Sequence, residues 1–320
     1  MSHEVESMFS VKETPWHKLG TVVQEAPNAE QAIELAGLNW KVEKKPLLFQ
    51  HDNNGVETDF YGLVRETDQK CYGVVKNQYT VLQNSESFDF FNPFIESGLA
   101  RFETAGALHD GVNVWILASL NKAPLEIVEG DYVVKYLLLS NNHSGKRAVR
   151  VGFTPVRVVC ANTLMMAMNS KQSSLMRVQH SKSVVSDIEK LRDIVNIADA
   201  QFEATGEQYR KLAHTNINQE DLKKFVKMVF FSSAKHENRG ETERQKVLIE
   251  KMNETIQNLF EAGKGAELHR GTAWGLYNAA TEYLSYGSGK DDSSRLNSLW
   301  FGKNQEVNLR AFQAARSFVA

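Results

Sequence analysis

The sequence predicts an α+β protein: an N-terminal antiparallel β-meander domain with flanking helices, residues 1–182, then an all-helical domain, residues 183–320. Three observations predict it. In the first half, short β-branched and aromatic runs alternate with turn residues. After Ser183 the apolar residues recur instead at helical spacing. The chain, 320 residues with 42% apolar and 24% charged residues, has the size and composition of two globular domains.

The first helix runs from the N-cap Asn28 through an acid-rich first turn, with Ala32, Ile33 and Ala36 on one stripe, and stops at Gly37. Strands follow at Trp40–Phe49, Phe60–Arg65 and Lys70–Val75. They are separated by the turn residues Asp52-Asn53-Asn54-Gly55 and Glu66-Thr67-Asp68. A Phe-rich helix is predicted over Ser85–Ser97, opened by Asn84 or Ser85. Next comes a hairpin, Leu99–Leu108 and Val112–Leu120, around His109-Asp110-Gly111. Asp131–Ser140 alternates as a half-buried strand does, and Asn141–Gly145 reads as a turn. Ala148–Val159 is a further strand, which Pro155 assigns to an edge or a bulge. Asn162 then caps a helix containing Leu164, Met165, Met166 and Met168.

In the second half Ile188, Leu191, Val195, Ala198, Phe202, Thr205, Tyr209 and Leu212 keep a 3–4 spacing. The pattern predicts one long helix with a coiled-coil-like stripe. Ile249, Met252, Ile256 and Leu259 repeat it on a second helix, which would pair with the first or with another subunit. A third helix covers Thr272–Tyr286, Gly287–Asp292 is a loop, and a last helix covers Val307–Val319.

Charge is unevenly placed. Tyr132–Ser186 contains no Asp or Glu but eight bases: Lys135, Lys146, Arg147, Arg150, Arg157, Lys171, Arg177 and Lys182. The whole chain has a net charge of −2, so the remainder carries −10. Such segregation creates a local positive field that attracts polyanions. The centre of the window, Val156–Met168, is apolar and reads as core. Its flanks hold the candidate phosphate contacts, Lys146, Arg147, Arg150, Arg157, Arg177 and Lys182. Alternation along a strand would put Lys146 and Arg150 on one face and Arg147 on the other. Tyr132, Tyr136 and Phe153 are candidate rings for stacking bases.

Other chemistries find no motif. There is no HExxH, no CxxC and no GxxxxGK[ST], so no catalytic residue, metal ligand or nucleotide cofactor is assigned. Two cysteines, Cys71 and Cys160, make no disulfide framework, although Cys160 with His143 or His180 would suit a nucleophile–base pair. No apolar run has the ~20 residues a membrane span needs. The acidic N-terminus is unlike a signal peptide, so a cytoplasmic place in a bacterial host cell is expected.

Several segments resemble the phage/plasmid-like protein family, a domain-of-unknown-function family of mobile elements. They are Pro15-Trp16-His17-Lys18-Leu19-Gly20, Ala36–Val42, Thr154–Leu164, Gly271–Tyr283 and Leu299-Trp300-Phe301-Gly302. The resemblance covers nearly the whole chain and implies a phage, prophage or plasmid origin. The order of a helix ending in Gly37-Leu38-Asn39-Trp40 and then strands is similar to the single-strand annealing proteins of recombination, a likeness of fold rather than of site.

The expected function is therefore binding of single-stranded nucleic acid, DNA in preference to RNA, with strand annealing, by a homo-oligomer that uses no cofactor. The alternative is a non-catalytic interaction module of a mobile element that binds a host protein, such as a defence protein. A third reading, a hydrolase, would rest on Cys160 or His143.

Overall fold

In a computed structural model of the protein, the residues described are 5–12, 20–52, 54–121, 123–157, 176–191, 195–232, 242–289, 298 and 303–319. The helix expected after Asn162, Cys160 itself and the Leu299–Gly302 segment lie outside them. Along the chain run β1 (Val5–Val11), β2 (Thr21–Val23), α1 (Ala29–Leu35), β3 (Val42–His51), β4 (Asn54–Arg65) and β5 (Cys71–Lys76). Next come α2 (Asn84–Asp89), α3 (Asn92–Glu96), β6 (Ala100–Leu108), β7 (Asn113–Leu120), β8 (Leu125–Val128), β9 (Asp131–Asn142), β10 (Val149–Arg157) and β11 (Met176–Val178). The helices α4 (Val184–Lys190), α5 (Val195–Ala213), α6 (Gln219–Val226), α7 (Glu243–Ala262), α8 (Ala273–Glu282) and α9 (Lys303–Arg316) follow.

Strands thus dominate the N-terminal half and helices the C-terminal half. The chain forms two compact units. The first holds residues 1–122, 136–153 and 174–198; the second holds 123–135, 154–173 and 199–320. Position 182 lies inside the first unit. The second unit is not purely helical, because β8 pairs there with the start of β9, Leu125 against Val133.

In the first unit the strand order is β11-β10-β9-β7-β6-β1-β2, and β3-β4-β5 form a separate sheet. This departs from a simple meander in two respects. The chain's first strand inserts between β6 and β2, and it pairs parallel with β2. The β6–β7 hairpin is as expected, with positive φ at His109, Asp110 and Gly111 making its turn. β7 is buried along its whole length. Its residues Val114, Ile116 and Ala118 share a core with Phe9, Leu38, Phe88, Phe91 and Phe102. The Phe88 and Phe91 rings each lie 5.6 Å from Phe102, in tilted contacts, so α2 and α3 pin the sheet with aromatic area. Asn28 caps α1 as expected, in a reciprocal capping box with Gln31. The cap of α2 is Gln83 rather than Asn84, because Asn84 is the first helical residue and its side chain turns inward. Among the described residues β10 pairs with β11 at Val149–Val151.

The long apolar stripe is divided. Instead of one helix there are α4 and α5, and residues 192–194 between them are not described. Ile188 and Leu191 pack in the first unit's core, whereas Tyr209 and Leu212 pack in the second unit's. A 3–4 spacing reports an apolar face but not which neighbour covers it. In the second unit, Tyr209 lies 4.6 Å from Trp274 and 5.9 Å from Phe312, and the indole Nε1 donates to Asp131 Oδ2 at 2.8 Å. At Gly206 a Cβ would stand 2.0 Å from Leu125, so α5 rests directly on β8. Helix α8 is capped by Thr272 and ends in a π-helical turn at Tyr283–Gly287. Among the described residues, no helix is long and apolar enough to cross a membrane.

Candidate functional site

The expected phosphate contacts surround the connection from β9 to β10, and that connection is built unlike an ordinary turn. Asn141 and Asn142 still belong to β9, and Asn141, Asn142, His143 and Ser144 are all buried. Each polar group has a specific partner. Asn141 Nδ2 donates to Leu82 O at 3.0 Å, and Asn142 Nδ2 donates to Asn113 Oδ1 at 2.7 Å. Asn142 Oδ1 accepts from Ser144 N at 3.1 Å and from Ser144 Oγ at 2.6 Å, closing the turn with a side chain.

His143 is the centre of this hub. Its Nε2 lies 2.9 Å from Asn84 Oδ1, and Asn84 Nδ2 donates to Leu38 O at 3.0 Å. Asn84 therefore presents its oxygen to the ring, and the imidazole proton sits on Nε2. The ring lies 5.3 Å from Trp40 and stacks on Tyr72 at 6.2 Å. Burial, aided by the charge of His180, pushes its pKa down to about 3, so it is neutral near pH 7. A neutral, enclosed imidazole held by an amide supports the fold.

The three-stranded sheet presses on this turn at glycines. A Cβ at Gly73 would stand 2.2 Å from Ser144 O. Gly145 has φ +75°, and its Cβ would stand 2.5 Å from Val75 Cγ1. Only glycine permits that approach of β5 to the turn. The other end of the site is fixed by His180. Thr80 N donates to His180 O at 2.9 Å, His180 Nδ1 donates to Thr80 O at 3.1 Å, and the ring stacks on Tyr79 at 4.5 Å.

These anchors place five of the six predicted cations in the first unit. Lys146 and Arg147 are exposed on the turn, Arg150 is half-buried on β10, and Arg177 and Lys182 are exposed on and just after β11. Arg150 stands directly opposite Arg177 in the β10–β11 register, so the two side chains share a face. Val149 and Val151 turn the other way, into the core. Arg150's pKa is lowered by burial, then by the charges of Arg177 and Arg147. Arg147's is lowered by burial. Arg147, Arg150 and Arg177 thus form one cluster. Strand alternation does not govern Arg147, because the strand begins only at Val149. Arg157 ends β10 in the second unit.

Of the candidate stacking rings, Phe153 is buried in the first unit's core, Tyr136 is half-buried, and Tyr132 is exposed in the second unit. A hydrogen bond to Glu126 raises the Tyr132 pKa. Among the described residues no group of His, Cys, Asp and Glu could hold a metal ion. Sequence reasoning missed the hub altogether. Its one signal was the density of amide side chains in Asn141-Asn142-His143, more than a short turn requires.

The family described as Domain of unknown function (DUF932) matches residues 71–300, which include the hub and all six cations. No curated protein and no solved structure matches the chain.

Proposed function

The chain belongs to the DUF932 family, a domain of unknown function, and we propose that within it this protein binds single-stranded nucleic acid, DNA in preference to RNA, along the cations of its first unit. One observation carries the reading: Arg150 faces Arg177 across two strands with Arg147 beside them. Like charges directly opposed on a sheet are unfavourable. A sugar-phosphate chain lying over them would turn that repulsion into attraction, without reading base sequence. Lys146 and Lys182 both lie beyond the Val149–Val178 end of this strand pair and add charge there. Arg157, the sixth cation of the proposal, lies on the second unit's part of β10. The proposal includes annealing of complementary strands by an oligomer, and a phage or plasmid origin, as the sequence resemblance implies. No cofactor takes part.

Fluorescence anisotropy with a labelled single-stranded 40-mer tests it. Affinity should fall with salt at a log–log slope of about −0.7 per phosphate contact, so about −3.5 for five contacts. Replacing Arg147 and Arg150 together by Glu should abolish binding. A salt-independent affinity, or no binding by the unaltered protein, would end this reading. The second reading, a module that captures a host protein, is favoured by Val247 and Leu248, 64% and 49% exposed on α7. There the Arg147→Glu/Arg150→Glu protein would keep its partner, and Leu248→Glu would lose it.

A further inference from the structure

Strand β2 ends the larger sheet, because among the described residues β1 is its one neighbour. Lys12 N donates to Val23 O at 2.7 Å, so Val23 turns its carbonyl toward β1. The N–H and C=O groups of successive strand residues point to opposite sides. Val22 therefore turns its N–H and C=O outward, to the open edge. The register sets Thr21 beside Phe9 and Val23 beside Val11, and Phe9 and Val11 share the core with Ala32 and Ala36. Thr21 and Val23 thus face the side of the sheet that α1 covers. Just after α1 the chain rests on β1, where a Cβ at Gly37 would stand 2.8 Å from Ser7 Oγ. Over β2 a pocket of about 660 Å³ opens, of the size that holds a ligand. Its lining includes Thr21 and Val23 of β2, Glu34 and Leu35 of α1, and Glu25 from the connection between them. Val23 and Leu35 are half-buried and pack on the core, whereas Glu25 and Glu34 are exposed.

An open sheet edge beside a groove is the arrangement that takes an extended peptide as an added strand. Charge says which peptide. Residues 20–38 hold Glu25, Glu30 and Glu34 and no Lys, Arg or His. Glu25 and Glu34 have no ion-pair partner among the described residues. Lys12, joined to Val23 through its backbone amide, does not line the pocket. We propose that the groove between β2 and α1 binds an extended basic segment of another protein. The segment's backbone pairs with the N–H and C=O of Val22. Its Lys or Arg side chains, at alternate positions, lay their aliphatic stems over Val23 and Leu35 and bring their charges to Glu25 and Glu34. With three residues β2 offers few backbone bonds, so the pocket supplies the rest of the affinity and the preference for bases. None of the six cations lies on β2 or α1, so the inference stands apart from nucleic-acid binding.

The test titrates the full chain into a fluorescein-labelled peptide of alternating Arg and Val and follows anisotropy. The peptide should bind saturably, and its counterpart of alternating Glu and Val should not. Glu25→Lys/Glu34→Lys should weaken binding by about tenfold or more. Glu250→Lys/Glu254→Lys makes the same change of charge at exposed positions of α7 and should leave binding unchanged. Val22→Pro should also weaken it by about tenfold, because it removes the outward N–H while β1 keeps its bond to Val23. The near-UV circular dichroism of Val22→Pro should match that of the unaltered protein. Should this variant fail to fold, methylated peptides decide. N-methylation of every Arg amide, or of every Val amide, keeps all the charges. One of the two peptides should lose binding and the other keep it, because an added strand turns only alternate amides toward β2. Like behaviour of the two overturns the inference and would leave a groove that takes small cations, such as polyamines. Equal loss in Glu250→Lys/Glu254→Lys, or no saturable binding up to about 1 mM peptide, overturns it as well.

Discussion

Two stretches of the first unit share turn-forming residues and end in opposite surroundings. Asp52-Asn53-Asn54-Gly55 joins β3 to β4, and its Asp52, Asn54 and Gly55 are exposed. Asn141-Asn142-His143-Ser144-Gly145 joins β9 to β10, and its first four residues are buried. Asp52 and Gly145 both adopt positive φ. Turn chemistry therefore fixes the local backbone and leaves burial to whatever packs on it. At the second stretch the backbone of β5 arrives at Gly73, and the polar groups it shuts off from water are matched by Asn84, Asn113 and Leu82 O. A buried polar run survives only when its members are paired in this way.

The widest separation between the two stretches should come from their neighbouring glycines. Gly73→Val drives a side chain into Ser144 O and should cost about 3 kcal/mol in urea unfolding. Gly55→Val, whose Cβ meets only Leu48 at 3.4 Å, should stay within about 0.5 kcal/mol. Equal effects would mean that β5 does not bear on the turn. Next in size, Asn142→Ala removes the partner of Asn113 Oδ1 and of Ser144 N, and should cost about 2 kcal/mol. Asp52→Ala at the exposed tip should be near neutral by the same measurement.

A pH series sharpens the contrast further. His143's pKa of about 3 lies below the ~6.5 of an unfolded histidine, so between those values the unfolded chain binds the extra proton. Its contribution is complete above about pH 6.5 and is lost as pH falls toward 3, by at most about 1.4 kcal/mol per pH unit. His143→Gln keeps a donor for Asn84 Oδ1 and should flatten that slope in urea midpoints measured from about pH 4 to 7. An unchanged slope would assign the acid sensitivity to other groups, such as His180, whose pKa burial also lowers.

Much of the fold was legible. The β6–β7 hairpin, the Asn28 cap and the Phe-rich α2–α3 segment follow from short-range rules that depend on neighbours in sequence. The insertion of β1 between β6 and β2 was not legible, because a strand's pattern carries no address for its partner. At the candidate site the six cations were visible as residues, but not the pairing of Arg150 with Arg177, nor the histidine hub.

By itself the sequence determined where the backbone extends, coils and turns, and that positive charge gathers between Tyr132 and Ser186. Those properties depend on residue type and local spacing. Only the tertiary structure decided that Arg150 opposes Arg177, that Asn141–Ser144 lies inside, and that one apolar stripe serves two cores. Each of these joins residues far apart in the chain. The free energy of such a contact belongs to the pair, and neither partner's sequence surroundings contain it.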